Sequence, residues 1–239
     1  MKILALDTSG MVASVAVVQD GDLLAEYTVN HKQTHSQTLL PMLDAAVQMI
    51  QLKLDTIDAI AVAAGPGSFT GLRIGSATAK GLGLALDKPL IGVPTTQALA
   101  YNLYGAAGVI CPIMDARRNQ VYTGIYAFAD GRMQILQEQM AADIHQVIEK
   151  LNELGQPVTF CGDGVSVYQE EIKAQIQLPA YFAPAHVNRQ RAGAVAALAM
   201  EYLKEGRTQT AAKHRPDYLR ISQAERERQE RLKREAGAL

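Results

Sequence analysis

Residues 65–75 read GPGSFTGLRIG, and the chain on either side makes sense once this stretch is placed. An apolar run, Ile57 to Ala64, precedes it and reads as a buried strand. Small and apolar helix formers, Leu72 to Leu86, follow it. The stretch therefore stands where a strand hands over to a helix. Gly65 and Gly67 remove Cβ atoms, so the backbone can turn tightly and come close to a ligand. Pro66 fixes one φ between them. Ser68 and Thr70 are candidate caps of the new helix. Unpaired N–H groups and the positive dipole end at a helix start suit a phosphate or another anion. The same glycines also fit a tight turn that binds nothing, because a lone Gly-rich loop is weak evidence.

Upstream, Lys2 to Thr8 is an apolar run ending in a polar pair, and Val12 to Val18 is a second run. Asp20-Gly21 is a hairpin signal, and Leu23 to Val29 alternates toward a third strand. A meander of this kind opens an α/β protein with a mixed sheet. His35 to Leu52 reads as an amphipathic helix capped by Ser36, with Leu39, Leu40, Leu43, Val47 and Ile50 recurring at three and four. Met42, Ala46 and Met49 form a further apolar stripe, which a helix wet along one side does not need; a partner surface is expected there. In the helix after the Gly-rich turn, Gly71, Gly75, Ala79 and Gly83 stand four apart. Each interior glycine costs about 0.8–1 kcal/mol against alanine. Close approach of another backbone offsets that, either the protein's own sheet or a helix of another subunit.

Downstream, Leu90 to Val93 is a short strand, and Pro94-Thr95-Thr96 opens a helix to Tyr104. Gly105 to Gly108 marks a boundary, so residues 1–105 form one domain and 106–187 a smaller second one, with the helical stretch 188–221 completing the first. The second half repeats the coarse order of the first. Val109 to Met114 and Gln120 to Phe128 are strands around the polar turn Asp115 to Asn119, and Asp130-Gly131 is a hairpin signal before Met133 to Gln137. A helix at Asp143 to Leu154, a strand at Pro157 to Cys161 and a loop, Gly162-Asp163-Gly164, follow. Residues 222–239 form a charged tail of Arg, Lys and Glu without an apolar stripe, which predicts a solvated segment.

The 239 residues are 48% hydrophobic and 20% charged, with a formal net charge of −1. No global field draws such a chain to nucleic acid or membrane. No apolar run reaches the ~18 residues a membrane span needs, and the acidic residue in MKILALDTSG does not suit a secretory signal. Cys111 and Cys161 lie in apolar runs and read as buried thiols of a cytoplasmic protein. Tryptophan is absent and aromatic residues make up 5%, which argues against a broad stacking platform for single-stranded RNA. His31 and His35 have metal-ligand spacing, but two histidines are an unfinished site. No metal site is expected, and His145, His186 and His214 stand apart. Ser9, Ser14, Ser68 and Ser76 lack a nucleophile elbow or a paired base. Asp7 either orients a metal-bound water beside a nucleotide or caps its own turn through Thr8 and Ser9.

ILALDTS (Ile3 to Ser9) followed by ASVAVV (Ala13 to Val18) resembles the first phosphate-loop hairpin of the actin/Hsp70/sugar-kinase fold, in which two ribonuclease-H-like domains enclose a nucleotide cleft. With GPGSFTGLRIG, DARRNQVYTGIY (Asp115 to Tyr126) and PDYLRISQAE (Pro216 to Glu225) added, the chain resembles the bacterial TsaB (YeaZ) family over essentially its whole length to Glu225. That resemblance implies a non-catalytic subunit of the assembly that transfers threonylcarbamoyl from threonylcarbamoyl-adenylate to N6 of adenosine 37 in tRNAs reading codons that begin with A. It implies pairing with the catalytic TsaD-type paralogue through the first helices, an ATPase of the TsaE type in the same assembly, and contact with tRNA through the complex. A homodimer is expected when the chain is alone. No cofactor is assigned to this chain; ATP or ADP and a metal ion are expected in the partner proteins. The TsaD-type enzyme carries an HxxxH metal motif where this chain reads PTTQALAYNLYG (Pro94 to Gly105), without histidine. The implied partner interface is Leu39, Met42, Leu43, Ala46, Met49, Gly71, Gly75, Ala79 and Gly83. The candidate nucleotide or anion loop is Asp7, Thr8, Ser9, Gly65, Gly67, Ser68 and Thr70, and no catalytic residue is assigned. A stand-alone nucleotide hydrolase or phosphotransferase of the same fold, and a glycoprotease-like peptidase, remain as rival readings.

Overall fold

A computed structural model of the chain describes residues 1–31 and 34–220; the charged tail from Ser222 onward lies outside the described residues. Strands β1 (Lys2–Asp7), β2 (Ala13–Gln19) and β3 (Asp22–Val29) form the antiparallel meander, and β4 (Ala59–Gly65) and β5 (Leu90–Pro94) add in parallel to give the order β3-β2-β1-β4-β5. β1, β2 and β4 are apolar without alternation because both faces of this sheet are covered. Successive β1 side chains enter different cores: Ile3 and Ala5 one, Leu4 and Leu6 the other. Helices α1 (His35–Met49) and α2 (Phe69–Leu86) cover one face. On the other lie α3 (Thr95–Tyr101) and, from far along the chain, α6 (Ala192–Lys204).

The second lobe repeats the plan. β6 (Val109–Asp115), β7 (Gln120–Ala129) and β8 (Arg132–Asp143) form a meander, and β9 (Val158–Cys161) and β10 (Ala180–Phe182) extend it in parallel, in the order β10-β9-β6-β7-β8. Helices α4 (Ile144–Leu154) and α5 (Val165–Gln175) pack on one face. The other face receives Leu99 and Ala100 of α3. α3 is thus held between the two sheets, which explains why Thr95 to Ala100 are all buried. The Thr96 hydroxyl, 2.8 Å from the Tyr126 hydroxyl, joins it to β7.

One local expectation is corrected, and two elements are added. Ser36 lies inside α1; the residue before the helix is Thr34, which makes no side-chain cap. α5 and β10 were not anticipated. The α5 signal, Val165, Tyr168 and Ile172 at three and four, is confined to one short helix, and β10 has only three residues.

Candidate functional site

The strand-to-helix turn is built by packing against the chain's own backbone. Gly65 has φ +126°, and a Cβ there would overlap the Asp217 carbonyl. A Cβ on Gly67 would overlap the Ser9 carbonyl, and one on Gly71 the Thr8 carbonyl. A Cβ on Gly75 would strike the Thr8 hydroxyl. The glycines therefore bring the start of α2 onto the β1–β2 turn. Hydrogen bonds fix the seat: the Ser68 N–H donates to the Ser9 carbonyl (2.7 Å) and the Thr8 hydroxyl to the Gly71 carbonyl (2.7 Å). Ser68 is the N-cap, accepting from the Gly71 N–H at 3.3 Å. Thr70 lies within the first turn of α2.

Beneath this seat, Asp7 is buried. Its Oδ1 accepts from the Ser9 N–H (2.9 Å) and the Ser9 hydroxyl (2.7 Å), while Oδ2 has no partner. Burial pushes its pKa up to about 6 against the opposing pull of the Ser9 hydrogen bonds and of His35. Asp7 thus anchors its own turn. His35 places Nε2 2.8 Å from the Gly10 carbonyl, which fixes the proton on that nitrogen and leaves the buried Nδ1 unpaired.

Between the lobes opens a cleft of about 680 Å³. One wall is Ser9 to Met11, His35 and the α2 start at Gly67 to Thr70; the other is Met114 to Arg118, Tyr122 and Asp163. A strap, Asp217 to Arg220, closes one side. It ties the lobes together. The Asp217 N–H donates to the Ala64 carbonyl (2.7 Å), and the Asp217 carboxylate accepts from the Gln139 amide (2.8 Å). The Tyr218 ring lies 4.7 Å from Phe69, and Arg220 donates to the Ala116 carbonyl at 2.8 Å. On the second lobe, Arg117, Arg118 and Asn119 are consecutive left-handed residues, with φ of 63°, 57° and 57°. Arg117 and Arg118 line the cleft, and among the described residues neither is in an ion pair.

Of the candidate loop residues, Ser9, Gly67, Ser68 and Thr70 line the cleft, whereas Asp7, Thr8 and Gly65 do not reach it. The assignment of the small-residue stripe to a partner surface is corrected. Gly71, Gly75, Ala79 and Gly83 face inward; a Cβ on Gly83 would strike Leu90. Leu39, Met42, Leu43 and Ala46 are likewise buried in the core against the sheet. A helix lying on a sheet turns its apolar stripe toward that sheet. Met49, 73% exposed, is the member of the set that faces outward. Sequence reasoning passed over Arg117, Arg118, Tyr218 and Arg220 as site residues. A polar turn and a terminal segment carry no mark of meeting across a cleft.

No three His, Cys, Asp or Glu side chains come close enough to hold a metal among the described residues. His31 is exposed. Cys111 and Cys161 are free and buried, and burial pushes the Cys111 thiol up to about 12. No helix among the described residues is long and apolar enough to cross a membrane.

Residues 22–228 match the family described as TsaD, tRNA N6-adenosine threonylcarbamoyltransferase. Over 227 residues, 94% of this chain and 96% of its relative, the identity is 33% to the tRNA threonylcarbamoyladenosine biosynthesis protein TsaB of Bacillus subtilis (strain 168). The chain belongs to the TsaB (YeaZ) family. TsaB of Escherichia coli (strain K12) is 40% identical over 129 residues, 53% of this chain and 55% of that one. The solved structure of YeaZ from Pseudomonas aeruginosa matches with a TM-score of 0.79 at 29% identity, covering 91% of this chain and 99% of that one. The two mixed sheets flanked by helices are those of the actin/Hsp70/sugar-kinase class, here in its TsaB form.

Proposed function

We propose that this chain is the non-catalytic subunit of the assembly that transfers threonylcarbamoyl from threonylcarbamoyl-adenylate to N6 of adenosine 37 in tRNAs reading A-starting codons. It acts by pairing with the catalytic TsaD-type paralogue. The observation that carries this reading is the near full-length relationship to the B. subtilis TsaB, whose name places that protein in tRNA threonylcarbamoyladenosine biosynthesis. The HxxxH motif of the catalytic paralogue has no counterpart in Pro94 to Gly105, and α3, within that stretch, is buried between the lobes. The nucleotide, the metal ion and the TsaE-type ATPase activity belong to the partner proteins in this reading. The β1–β2 turn supports that division, because its backbone is already in contact with Gly67 and Gly71 of the same chain.

The pairing surface is the outward face of α1 and α2. Gly81 identifies it. A Cβ on Gly81 would meet nothing within 4 Å, so this glycine has no packing reason inside the chain, yet it weakens the helix by about 1 kcal/mol. On the same face of α2, four residues before and three after it, stand exposed Ala77 and Leu84; α1 adds exposed apolar residues on its two flanks, Leu40 on one and Met49 on the other. Small residues flanked by exposed apolar ones let a second helix pack close by. Without the paralogue, the same face pairs two copies of this chain. Gly81→Leu is expected to leave thermal stability equal or slightly raised, to abolish co-purification with the paralogue, and to stop formation of modified adenosine in a reconstitution that depends on this chain. Undiminished pairing would remove this face from consideration. Product formed equally without the chain would remove the functional reading itself.

The rival readings make different demands. A stand-alone nucleotide enzyme requires calorimetric binding of ATP or ADP with Mg²⁺ by the isolated chain, and a peptidase requires peptide turnover that Ser68→Ala abolishes.

A further inference from the structure

A second cavity of about 260 Å³ adjoins the cleft, sharing Met11, Asp115 and Asp163 with it. Val12 and Asn30 of the first lobe and Ser166 and Val167 at the start of α5 complete its sides. Arg189 and Gln190 belong to the segment that crosses between the lobes. That segment is held at both ends: the Asn188 carbonyl accepts from Gly162 N–H at 2.8 Å, and Ala192 N–H donates to the Ser14 hydroxyl at 2.9 Å.

Two donors here have no acceptor. Gln190 is 2% exposed, and its amide nitrogen is unpaired. The Arg189 Nη1 is buried and also unpaired. A buried donor left without a partner is costly, most of all a charged one. Both nitrogens can only donate, so what completes them is an acceptor, and a carboxylate suits a guanidinium beside an amide N–H. Elsewhere in the lining are acceptors. The Asp163 carboxylate takes the Asp115 N–H at 3.3 Å, and Asp115 takes the Arg117 N–H (2.8 Å) and the Tyr168 hydroxyl (3.3 Å). Burial holds the Asp163 carboxyl above the usual carboxylate range, while Arg189 pulls it back. A cationic donor would stabilise its charge. Met11 and Val167, 57% and 58% exposed, give the lining an apolar part.

We propose that this cavity binds a small zwitterion of the α-amino acid class. Its carboxylate meets Arg189 and Gln190, its ammonium meets Asp163, and a short apolar side chain rests against Met11 and Val167. At roughly 30 Å³ per water-sized group, the space suits about eight or nine non-hydrogen atoms. A bound ligand touches both lobes and the crossing segment, and so bridges them. The inference goes beyond the proposed pairing function and does not depend on it.

The test is calorimetric titration of the full chain with each proteinogenic amino acid, and with the matching amine and carboxylic acid that each lack one charge. Saturable binding of small apolar amino acids is expected, weakened at least about tenfold by loss of either charge. Arg189→Met and Gln190→Leu are each expected to weaken it to the same degree. Val167→Trp fills the mouth from an exposed position without touching a buried group, and is expected to abolish binding in a chain that unfolds as the parent does. Absence of heat from every amino acid at about 10 mM would overturn the proposal. So would binding that survives Val167→Trp unchanged. Pairing with the paralogue is a separate readout and stands or falls independently.

Discussion

The two lobes share one plan, yet their equivalent hairpin turns have opposite characters. In the first lobe, the start of the β1–β2 turn after Asp7 is sealed, although its far end at Met11 is exposed. Thr8 and Ser9 are buried, Gly67 and Gly71 press on their carbonyls, and no residue from Thr8 to Met11 has a positive φ. In the second lobe, the β6–β7 turn after Asp115 is open, with Arg117 to Asn119 exposed and left-handed. The difference lies in where the glycine-bearing segment lands. In the first lobe it reaches Thr8 and Ser9, past the end of β1. In the second, Gly162 and Gly164 press on the Ile113 carbonyl, short of the end of β6. A small shift of the same device turns a closed backbone seat into an exposed basic rim.

Gly71→Ala is the strongest way to break this comparison. The new methyl group would be driven into the Thr8 carbonyl, a backbone atom that cannot rotate aside, and the bond from the Thr8 hydroxyl to the Gly71 carbonyl would be lost. Overpacking together with a lost buried hydrogen bond predicts a destabilisation of at least about 3 kcal/mol in denaturant unfolding. Gly164→Ala meets the Ile113 carbonyl at 2.9 Å and is expected to cost about 1 kcal/mol. Equal costs for the two would mean that the contact at Gly71 yields as readily as the one at Gly164.

Asp7 sharpens the comparison through pH. Its carboxyl is held near 6 in the fold, above the ordinary 3.8. Between those values the native state keeps a proton that the unfolded chain has lost. Stability from this group is therefore greatest below about pH 4 and declines as pH rises through about 6, by roughly 2–3 kcal/mol. Asp7→Asn keeps an acceptor for the Ser9 N–H and hydroxyl and removes that slope. The stability difference between variant and parent should grow in the variant's favour from pH 4 to 7 and then level off. A constant difference across that range would show that burial does not perturb Asp7.

Local chemistry made most of the fold readable. Asp20-Gly21 and Asp130-Gly131 adopt the positive φ values that hairpin turns require (50° and 100°, then 52° and 71°), so their sequence meaning survives in three dimensions. The Gly65-to-Gly75 turn was readable for a related reason: Gly65 takes a positive φ, and Gly67, Gly71 and Gly75 allow the close approach that a Cβ would block. What spacing cannot give is direction. Gly71, Gly75, Ala79 and Gly83 do share a helix face, as their four-residue interval requires, but the interval does not say whether that face meets the sheet or another molecule. Only the space beside each glycine separates Gly75, pressed on Thr8, from Gly81, which is open. The cleft was harder still, since Arg117, Tyr218 and His35 come from distant segments and meet only because the strap and α1 converge there.

The smallest effect to seek is one whose sign differs between the turns. Arg118 has φ 57°, a conformation that costs a residue with a Cβ about 1 kcal/mol and glycine almost nothing. Arg118→Gly relieves that strain, offset in part by the larger entropy of glycine in the unfolded chain, so a net gain of about 0.5 kcal/mol is expected. Ser9→Gly in the sealed turn has no strain to relieve and removes the hydroxyl donated to Asp7 at 2.7 Å, so a loss of about 1 kcal/mol or more is expected. Matched chemical unfolding of the two variants reads both signs. If Arg118→Gly also destabilises, the left-handed turn is held by contacts of the Arg118 side chain, and the second-lobe rim is then as firmly built as the seat across the cleft.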